Sequence, residues 1–202
     1  MFAELLRHPG VAEDLELRSP LGFLAFHGGS LERGTAEIAA AAADSAGASL
    51  YSVRQPEDLR WHVPSRLVDP QESDALATFL AHVDVAISIH GYGRRGRWTS
   101  VLVGGANRVF ARRAGDALRA ALPAYEVVDD LDAIPPELRG LHPDNPVNRV
   151  RSGGIQLELP PRVRNVTGRE ADRDALISAL ATLAAGSTQG AGSTQAAGST
   201  QE

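Results

Sequence analysis

Two histidines of this sequence end largely apolar segments, and each is followed directly by glycine. They are His27 and His90. A buried strand that ends in His-Gly would present an imidazole at the edge of a sheet, where open α/β sheets bind their ligands. Glu32 follows His27 by five positions, and the two glycines between them allow the chain to turn back. We therefore expect the carboxylate to return toward the first imidazole.

These three side chains predict a metal site, with His27, Glu32 and His90 as ligands of a zinc ion. Catalytic zinc is typically held by three protein ligands, and a fourth position stays open for water. The sequence contains no cysteine, so thiolate ligands, disulfides and cysteine nucleophiles are excluded. A histidine at a strand end can also be an ordinary hydrogen-bonded residue, and the pattern alone leaves that alternative open.

Glu158 is the candidate general base. It lies in an alternating segment, residues 154–159, in which Gln156 and Glu158 share one face and the apolar residues share the other. A partly buried carboxylate beside a metal can take a proton from water and pass it to the leaving amine. The same alternation would fit a solvent-exposed strand face.

Several arginines could bind an anionic substrate. Arg149, which follows Asn148, could clamp a carboxylate or stabilise an oxyanion, or could be an ordinary surface residue. The loop 94–97 carries three arginines and could attract a polyanion or be a solvated turn. The other histidines have no comparable context, and His62 is the hardest of them to set aside because it precedes an extended segment.

Alternating strands and helices predict an α/β fold with a layered sheet. The predicted strands are residues 23–26, 50–53, 83–89, 98–103, 125–128 and 154–159, with an extended edge segment at 61–68. The predicted helices are residues 35–46, 70–82, 107–122 and 169–185. Thr35 and Asn107 are the expected N-caps of the first and third of these helices.

Length and composition suit one domain of 202 residues, 43% of which are hydrophobic. We predict a catalytic α/β domain at residues 1–185 and a low-complexity, disordered Gly-Ser-Thr-Gln tail at 186–202. The net charge of -5 argues against a nucleic-acid partner. Because no signal peptide or membrane segment is visible, we expect a cytoplasmic protein, with release by cell lysis as an alternative.

Taken in order, the motifs resemble a known family. The motifs are HGGxxExGTxEIA at 27–39, SIHG at 88–91, GGxN at 104–107, NR at 148–149, GGIQLEL at 153–159 and Arg164. This series resembles the phage-type poly-γ-glutamate hydrolases, a zinc-dependent group whose fold is similar to that of zinc carboxypeptidases. The likeness spans about residues 20–166.

The resemblance implies a single-domain mixed sheet flanked by helices and the hydrolysis of γ-glutamyl amide bonds. It implies Zn²⁺ on His27, Glu32 and His90, with Glu158 as the base and Arg149 as a carboxylate or oxyanion contact. The expected substrate-binding residues are Arg149, Asn148, Arg94, Arg95 and Asn107. The zinc carboxypeptidases, to which the family's fold is similar, have the pattern His-x-x-Glu at the first two ligands. Four residues separate His27 from Glu32 here, which argues against ordinary C-terminal exopeptidase activity.

Two other functions stay open. One is a carboxypeptidase-like deacylase or peptidase that acts on a small acyl-amino acid, and the other is a non-catalytic module that binds an anionic polymer. We expect a monomer whose partner is an anionic polypeptide or a small γ-glutamyl substrate, with no nucleic acid and no membrane.

Overall fold

A computed structural model of the chain describes residues 1–164, 166 and 168–192. Its helices are α1 (Phe2–Leu6), α2 (Thr35–Ala46), α3 (Asp74–His82), α4 (Arg108–Ala121) and α5 (Glu170–Gly192). Its strands are β1 (Ala12–Glu16), β2 (Ser19–Gly29), β3 (Ala48–Gln55), β4 (Val85–Gly91), β5 (Ser100–Gly104), β6 (Glu126–Val128) and β7 (Gly154–Leu159). Short 3₁₀ helices occupy Ser65–Leu67, Pro70–Glu72, Pro136–Leu138 and Pro146–Asn148.

The strands form one seven-stranded mixed sheet in the order β1-β3-β2-β4-β7-β5-β6. The neighbours β3, β2, β4 and β7 run parallel to one another. β1 is antiparallel to β3, and β5 is antiparallel to β7. The predicted α/β fold with a layered mixed sheet is therefore confirmed, and its parallel centre places the ends of β2, β4 and β7 side by side.

Helices cover both faces of the sheet. On one face, α2, α4 and α5 bury an alanine-rich and leucine-rich layer against the strands, with Ile38, Leu118 and Leu176 among its members. On the other face, α1 and α3 pack through Phe2 and Phe79. Because both faces are covered, the central strands read as continuous apolar runs in the sequence.

Some predicted elements differ from the structure. Residues 61–68 form no strand but a loop that leads into the 3₁₀ helix Ser65–Leu67, because Pro64 has no backbone donor for a sheet. The true neighbour of β3 at this edge is β1, whose polar sequence AEDLE gave no strand signal. α3 begins at Asp74 with Ser73 as its N-cap, and α2 begins at Thr35 with Gly34 as its N-cap.

The N-cap of α4 is confirmed, because the Asn107 side chain accepts a hydrogen bond from the Phe110 amide at 3.0 Å. α5 continues seven residues beyond the predicted helix end at Ala185, as far as Gly192. The rest of the predicted tail, 193–202, lies outside the described residues, so the domain boundary stays a prediction. Within the described part of the chain, no helix combines the length and the apolar character needed to cross a membrane.

Candidate metal centre

His27 and Glu32 meet through a tight turn at the end of β2. Gly29 has a φ of 77°, and a Cβ there would overlap the backbone oxygen of Gln55, so only glycine fits. The chain then folds back, and the Glu32 amide donates to the carbonyl of His27 at 2.9 Å. This turn produces the return of the carboxylate that the two glycines predicted.

Both ring nitrogens of His27 have partners. Nδ1 lies 2.9 Å from Oε1 of Glu32, and Nε2 lies 2.8 Å from the backbone oxygen of Val63. The ring is only 2% exposed. An imidazole whose far nitrogen donates to a carbonyl has a fixed tautomer and orientation, which is the usual arrangement of a metal-binding histidine.

β4 brings His90 to the same carboxylate. Nδ1 of His90 lies 3.7 Å from Oε2 of Glu32, and the Gly91 amide donates to that same oxygen at 2.7 Å. The ring centroids of His27 and His90 are 5.1 Å apart. The structure therefore brings together all three side chains that the sequence predicts as ligands.

This donor set fits a metal ion. Ligand atoms on tetrahedral zinc lie about 3.4 Å apart, given zinc–nitrogen bonds of about 2.1 Å. The observed separations of 2.9 and 3.7 Å from the Glu32 oxygens fall on either side of that value. Nε2 of His90 is buried and has no hydrogen-bond partner among the described residues, and its Nδ1 is too far from Glu32 for a normal hydrogen bond.

The charges of these groups are coupled. Burial opposes the charged form of Glu32, but the His27 imidazole lowers the pKa of this carboxyl well below its usual value. Burial also opposes protonation of His27, but the Glu32 carboxylate outweighs it and raises the pKa of His27. Burial lowers the pKa of His90, which favours its neutral form. Because Nε2 of His27 donates its proton to the Val63 carbonyl, Nδ1 faces the Glu32 carboxylate with a lone pair unless it also carries a proton. Either that proton or a metal cation can supply the positive charge that this contact requires.

Glu158 lies beside this cluster on β7. It pairs with His90 across the parallel β4–β7 ladder, so the two side chains leave the same face of the sheet. Its carboxylate accepts a hydrogen bond from the Gln156 amide at 2.9 Å, and Gln156 in turn accepts from Asn145 at 2.8 Å. Burial and the nearby negative charge of Glu32 raise the pKa of Glu158 to about 8. The side chain is 5% exposed, unlike a solvated strand face.

His62 is a third imidazole at the site, and our reading of the sequence did not assign it a role. One donor atom each from His27, Glu32 and His62 lie within 4.8 Å of one another. Burial and the proximity of His27 lower the pKa of His62. The only signal in the sequence was its place two positions before Pro64, which restricts the backbone of Val63 to extended conformations and gives no direction for the His62 ring.

The cluster opens into a cavity of about 590 Å³. Its walls include Tyr92, Gln156 and the loop 136–142, and Glu158, His62 and Arg66 also face it. Burial raises the pKa of Tyr92 to about 12, and its hydroxyl donates to the Ser100 carbonyl at 2.7 Å. The cavity is large enough for a segment of a flexible chain or for a small molecule.

Two of the predicted substrate-binding residues have structural partners. The Asn148 amide donates to the carbonyls of Gly140 and His142, and its oxygen accepts from the Ala106 amide. Asn107 caps α4 and donates to the Ser152 carbonyl. Neither side chain is among the residues that line the cavity. Both hold the cavity loops together, and their contact with substrate stays a prediction.

The predicted arginines also lie apart from the cavity wall. Arg149 is 4.0 Å from Asp69, and Arg94 pairs with Glu137, which does line the cavity. Arg95 is exposed in the neighbouring turn. The arginine that does line the cavity is Arg66, in the 3₁₀ helix Ser65–Leu67, and nothing in the sequence distinguished it from other surface arginines.

Arg164 is a buried arginine that connects the end of β7 to the loop that carries Glu32. Its guanidinium donates to the carbonyls of Leu159 and Arg33, and it is 8% exposed. Burial lowers the pKa of Arg164 while the carboxylates of Glu32 and Glu158 oppose that effect. A Cβ at Gly91 would lie 2.7 Å from this guanidinium, so glycine leaves room for it.

Known structures with the same fold define the class. A bacteriophage poly-gamma-glutamate hydrolase superposes with a TM-score of 0.72 at 22% identity, covering 88% of this chain and 89% of the other. A zinc-free YNDL structure superposes with a TM-score of 0.68 at 24% identity, covering 86% and 89%. A candidate carboxypeptidase from Burkholderia mallei reaches 0.53 at 12% identity, covering 93% and 66%. The fold is therefore carboxypeptidase-like, as expected.

The sequence defines the family more closely. Residues 3–176 match the family described as poly-gamma-glutamate hydrolase. The SPbeta prophage-derived UPF0714 protein YoqZ of Bacillus subtilis (strain 168) is 35% identical over 144 residues, 70% of this chain. This chain spans about half of that relative, 49% of its length. The chain belongs to the poly-gamma-glutamate hydrolase family, and the resemblance of its motifs is confirmed.

Proposed function

We propose that this chain is a zinc-dependent hydrolase that cleaves the γ-glutamyl amide bonds of poly-γ-glutamate. The observation that carries the proposal is the convergence of His27, Glu32, His90 and Glu158 where three neighbouring parallel strands end. Membership of the poly-gamma-glutamate hydrolase family supports the choice of substrate. A monomeric state and a cytoplasmic location remain predictions.

His27, Glu32 and His90 would hold the zinc ion. When bound, zinc polarises an amide carbonyl and makes water more acidic. The protein fixes these ligands by backbone contacts, since Val63 accepts from His27 and Gly91 donates to Glu32. Orientation by such outer contacts keeps the donor atoms in place during the reaction.

Glu158 would move the proton. Its carboxylate takes a proton from the attacking water and later gives it to the nitrogen of the leaving γ-amide. Gln156 holds one carboxylate oxygen, which leaves the other free for this transfer. The pKa of about 8 describes the site without a cation, and added positive charge would lower that pKa and favour the basic form.

Arg66 would bind a free α-carboxylate of the polymer. It lines the cavity and forms no ion pair with any residue that the structure describes. Each glutamyl unit of a γ-linked chain carries such a carboxylate, so an unpaired guanidinium at the wall matches the substrate. Arg94, Arg95 and Arg149 could bind more distant units of the polymer.

The test compares two polymers of equal charge. Purified protein, stripped with a chelator and reloaded with Zn²⁺, is incubated with poly-γ-glutamate or with α-linked polyglutamate, and chain length is followed by size-exclusion chromatography. We expect the γ-linked polymer alone to be shortened, and only with metal. Glu158→Gln should reduce kcat by about 10²- to 10⁴-fold, because the proton acceptor is lost.

Glu57→Gln, which neutralises an exposed carboxylate that does not line the cavity, is the matched control and should keep full activity. Cleavage that persists after complete metal removal would contradict the proposal. Turnover of N-acyl amino acids without cleavage of the polymer would favour the small-substrate deacylase. Polymer binding that Glu158→Gln leaves intact, with no cleavage by the unaltered protein, would favour a binding module.

A further inference from the structure

A third imidazole stands next to the proposed zinc ligands. His62 offers a donor atom within 4.8 Å of donor atoms on both His27 and Glu32. The ring centroids of His27 and His62 are 4.8 Å apart, closer than those of His27 and His90. Two imidazoles and a carboxylate at such separations already have the composition of a zinc site.

The backbone around His62 is fixed by the same contacts that fix the site. The Trp61 amide donates to the buried side chain of Gln55 at 2.8 Å, and its carbonyl accepts from that side chain at 2.9 Å. On the other side, the Val63 carbonyl accepts from His27 at 2.8 Å. His62 is therefore held between two anchored residues, and its position is set by the fold.

The side chain itself is exposed at the cavity wall, in contrast to the buried rings of His27 and His90. His27 is hydrogen-bonded on its far side to the Val63 carbonyl and cannot leave a metal without breaking that bond, and His90 is enclosed by the surrounding core at 3% exposure. An exposed ring can rotate about its two side-chain torsions and exchange with solvent. This difference separates a permanent ligand from an exchangeable one.

We propose that His62 is a fourth, exchangeable protein ligand of the zinc ion held by His27, Glu32 and His90. The inference rests on the proposed function only in assuming that zinc binds at this cluster. With zinc bound and no substrate present, His62 would occupy the position that a catalytic zinc site leaves open for water. Its exposed ring would leave that position when substrate or water binds.

The experiment counts imidazoles on the metal. Zinc K-edge X-ray absorption on the zinc-loaded protein should show three imidazoles in the original sequence and two in His62→Ala. Competition with a chromogenic chelator should give a zinc affinity at least about tenfold weaker for His62→Ala. Visible absorption of the Co²⁺-loaded proteins, which responds to coordination number, should differ between the two.

His142→Ala is the matched control, because His142 lines the same cavity and is not a member of the donor cluster. It should leave the imidazole count and the zinc affinity unchanged. Thermal unfolding of the metal-free proteins should be equal for all three, since His62 is exposed.

Two outcomes would overturn the inference in distinguishable ways. Two imidazoles on the metal in the original sequence, unchanged in His62→Ala, would exclude His62 while leaving the proposed function intact. Absence of zinc binding by the original sequence would remove both proposals.

Discussion

His27 shows how a single side chain is prepared for its role. One ring nitrogen contacts Glu32, and the other donates to a backbone carbonyl. The sequence predicted that Glu32 returns to His27, because the two glycines after His27 allow the chain to turn back. It could not predict the second contact, since Val63 contributes only its carbonyl, which any residue type possesses.

We expect substitution of Arg66 to weaken substrate binding without slowing the chemical step. Arg66→Ala removes a guanidinium from the cavity wall and leaves the hydrogen bonds of Glu32 and Glu158 in place. We expect KM for poly-γ-glutamate to rise about tenfold, equivalent to about 1.4 kcal/mol, with kcat nearly unchanged. Steady-state kinetics on γ-linked oligomers of defined length would measure both constants.

The control for this prediction is Arg60→Ala, which removes an exposed arginine that does not line the cavity. Its KM should equal that of the original sequence. An equal rise in KM for both variants would mean that net charge alone attracts the polymer.

The turn after β2 decides whether the ligands meet. Gly29→Ala places a Cβ on the backbone of Gln55 and requires a φ of 77°, so we expect a loss of at least about 2 kcal/mol in the free energy of unfolding. Because the turn also delivers Glu32, zinc affinity should fall in parallel. Urea unfolding and zinc titration of the same protein measure the two effects.

Gly47→Ala is a matched control for the backbone angle alone. Gly47 ends α2 at a φ of 62°, and no atom lies within 4 Å of a Cβ added there. It should lose only about 1 kcal/mol and retain its zinc affinity. Equal effects at the two glycines would show that contact with Gln55 does not matter.

β1 is attached to the sheet partly through a buried phenol on β3. The Tyr51 hydroxyl donates to Glu13 at 2.6 Å, and burial raises the pKa of Tyr51 well above its usual value of 10. The folded state therefore holds this proton more tightly than the unfolded chain. The stabilisation is complete below pH 10 and is lost above it, at up to about 1.4 kcal/mol per pH unit.

Tyr51→Phe should remove the contribution of this proton to the fall in the free energy of unfolding with rising pH. Burial also raises the pKa values of Tyr92 and Tyr125 to about 12, so a slope from those groups should remain. The sequence contains neither lysine nor cysteine, so tyrosine dominates this pH range. Urea unfolding between pH 8 and 11 gives the slope, and an unchanged slope in the variant would contradict the assignment.

At the scale of the whole molecule, zinc and folding should be linked. A metal that binds only the folded state stabilises it by about 2.7 kcal/mol at a concentration 100 times its Kd. For a domain of this size we expect Tm to rise by about 5–10 °C. Differential scanning calorimetry with Zn²⁺, with Mg²⁺ and with a chelator would test this, and only Zn²⁺ should raise Tm. A Zn²⁺-independent Tm would contradict a preformed site.

The sequence predicted a sheet layered with helices, but it could not predict the order of the strands within the sheet. Apolar runs identified β2 and β4, because these strands are buried on both faces, whereas β7 was identified by its alternation of polar and apolar residues. The edge strand β1 escaped notice because half-exposed strands carry polar residues. That β2, β4 and β7 are neighbours follows from long-range pairing, which no local pattern encodes. The alternating pattern and the family resemblance had predicted Glu158 as the base beside the metal, and the complete sheet adds that it pairs with His90 across the β4–β7 ladder.

The acceptor that orients His27 belongs to the polypeptide backbone, which has a consequence for how such a protein can vary. Replacement of Val63 by another apolar residue would leave the carbonyl where it is. Loss or gain of one amino acid between Gln55 and Val63 would move it by a full step of several ångströms. The number of residues in this connection is therefore constrained more strictly than their identity.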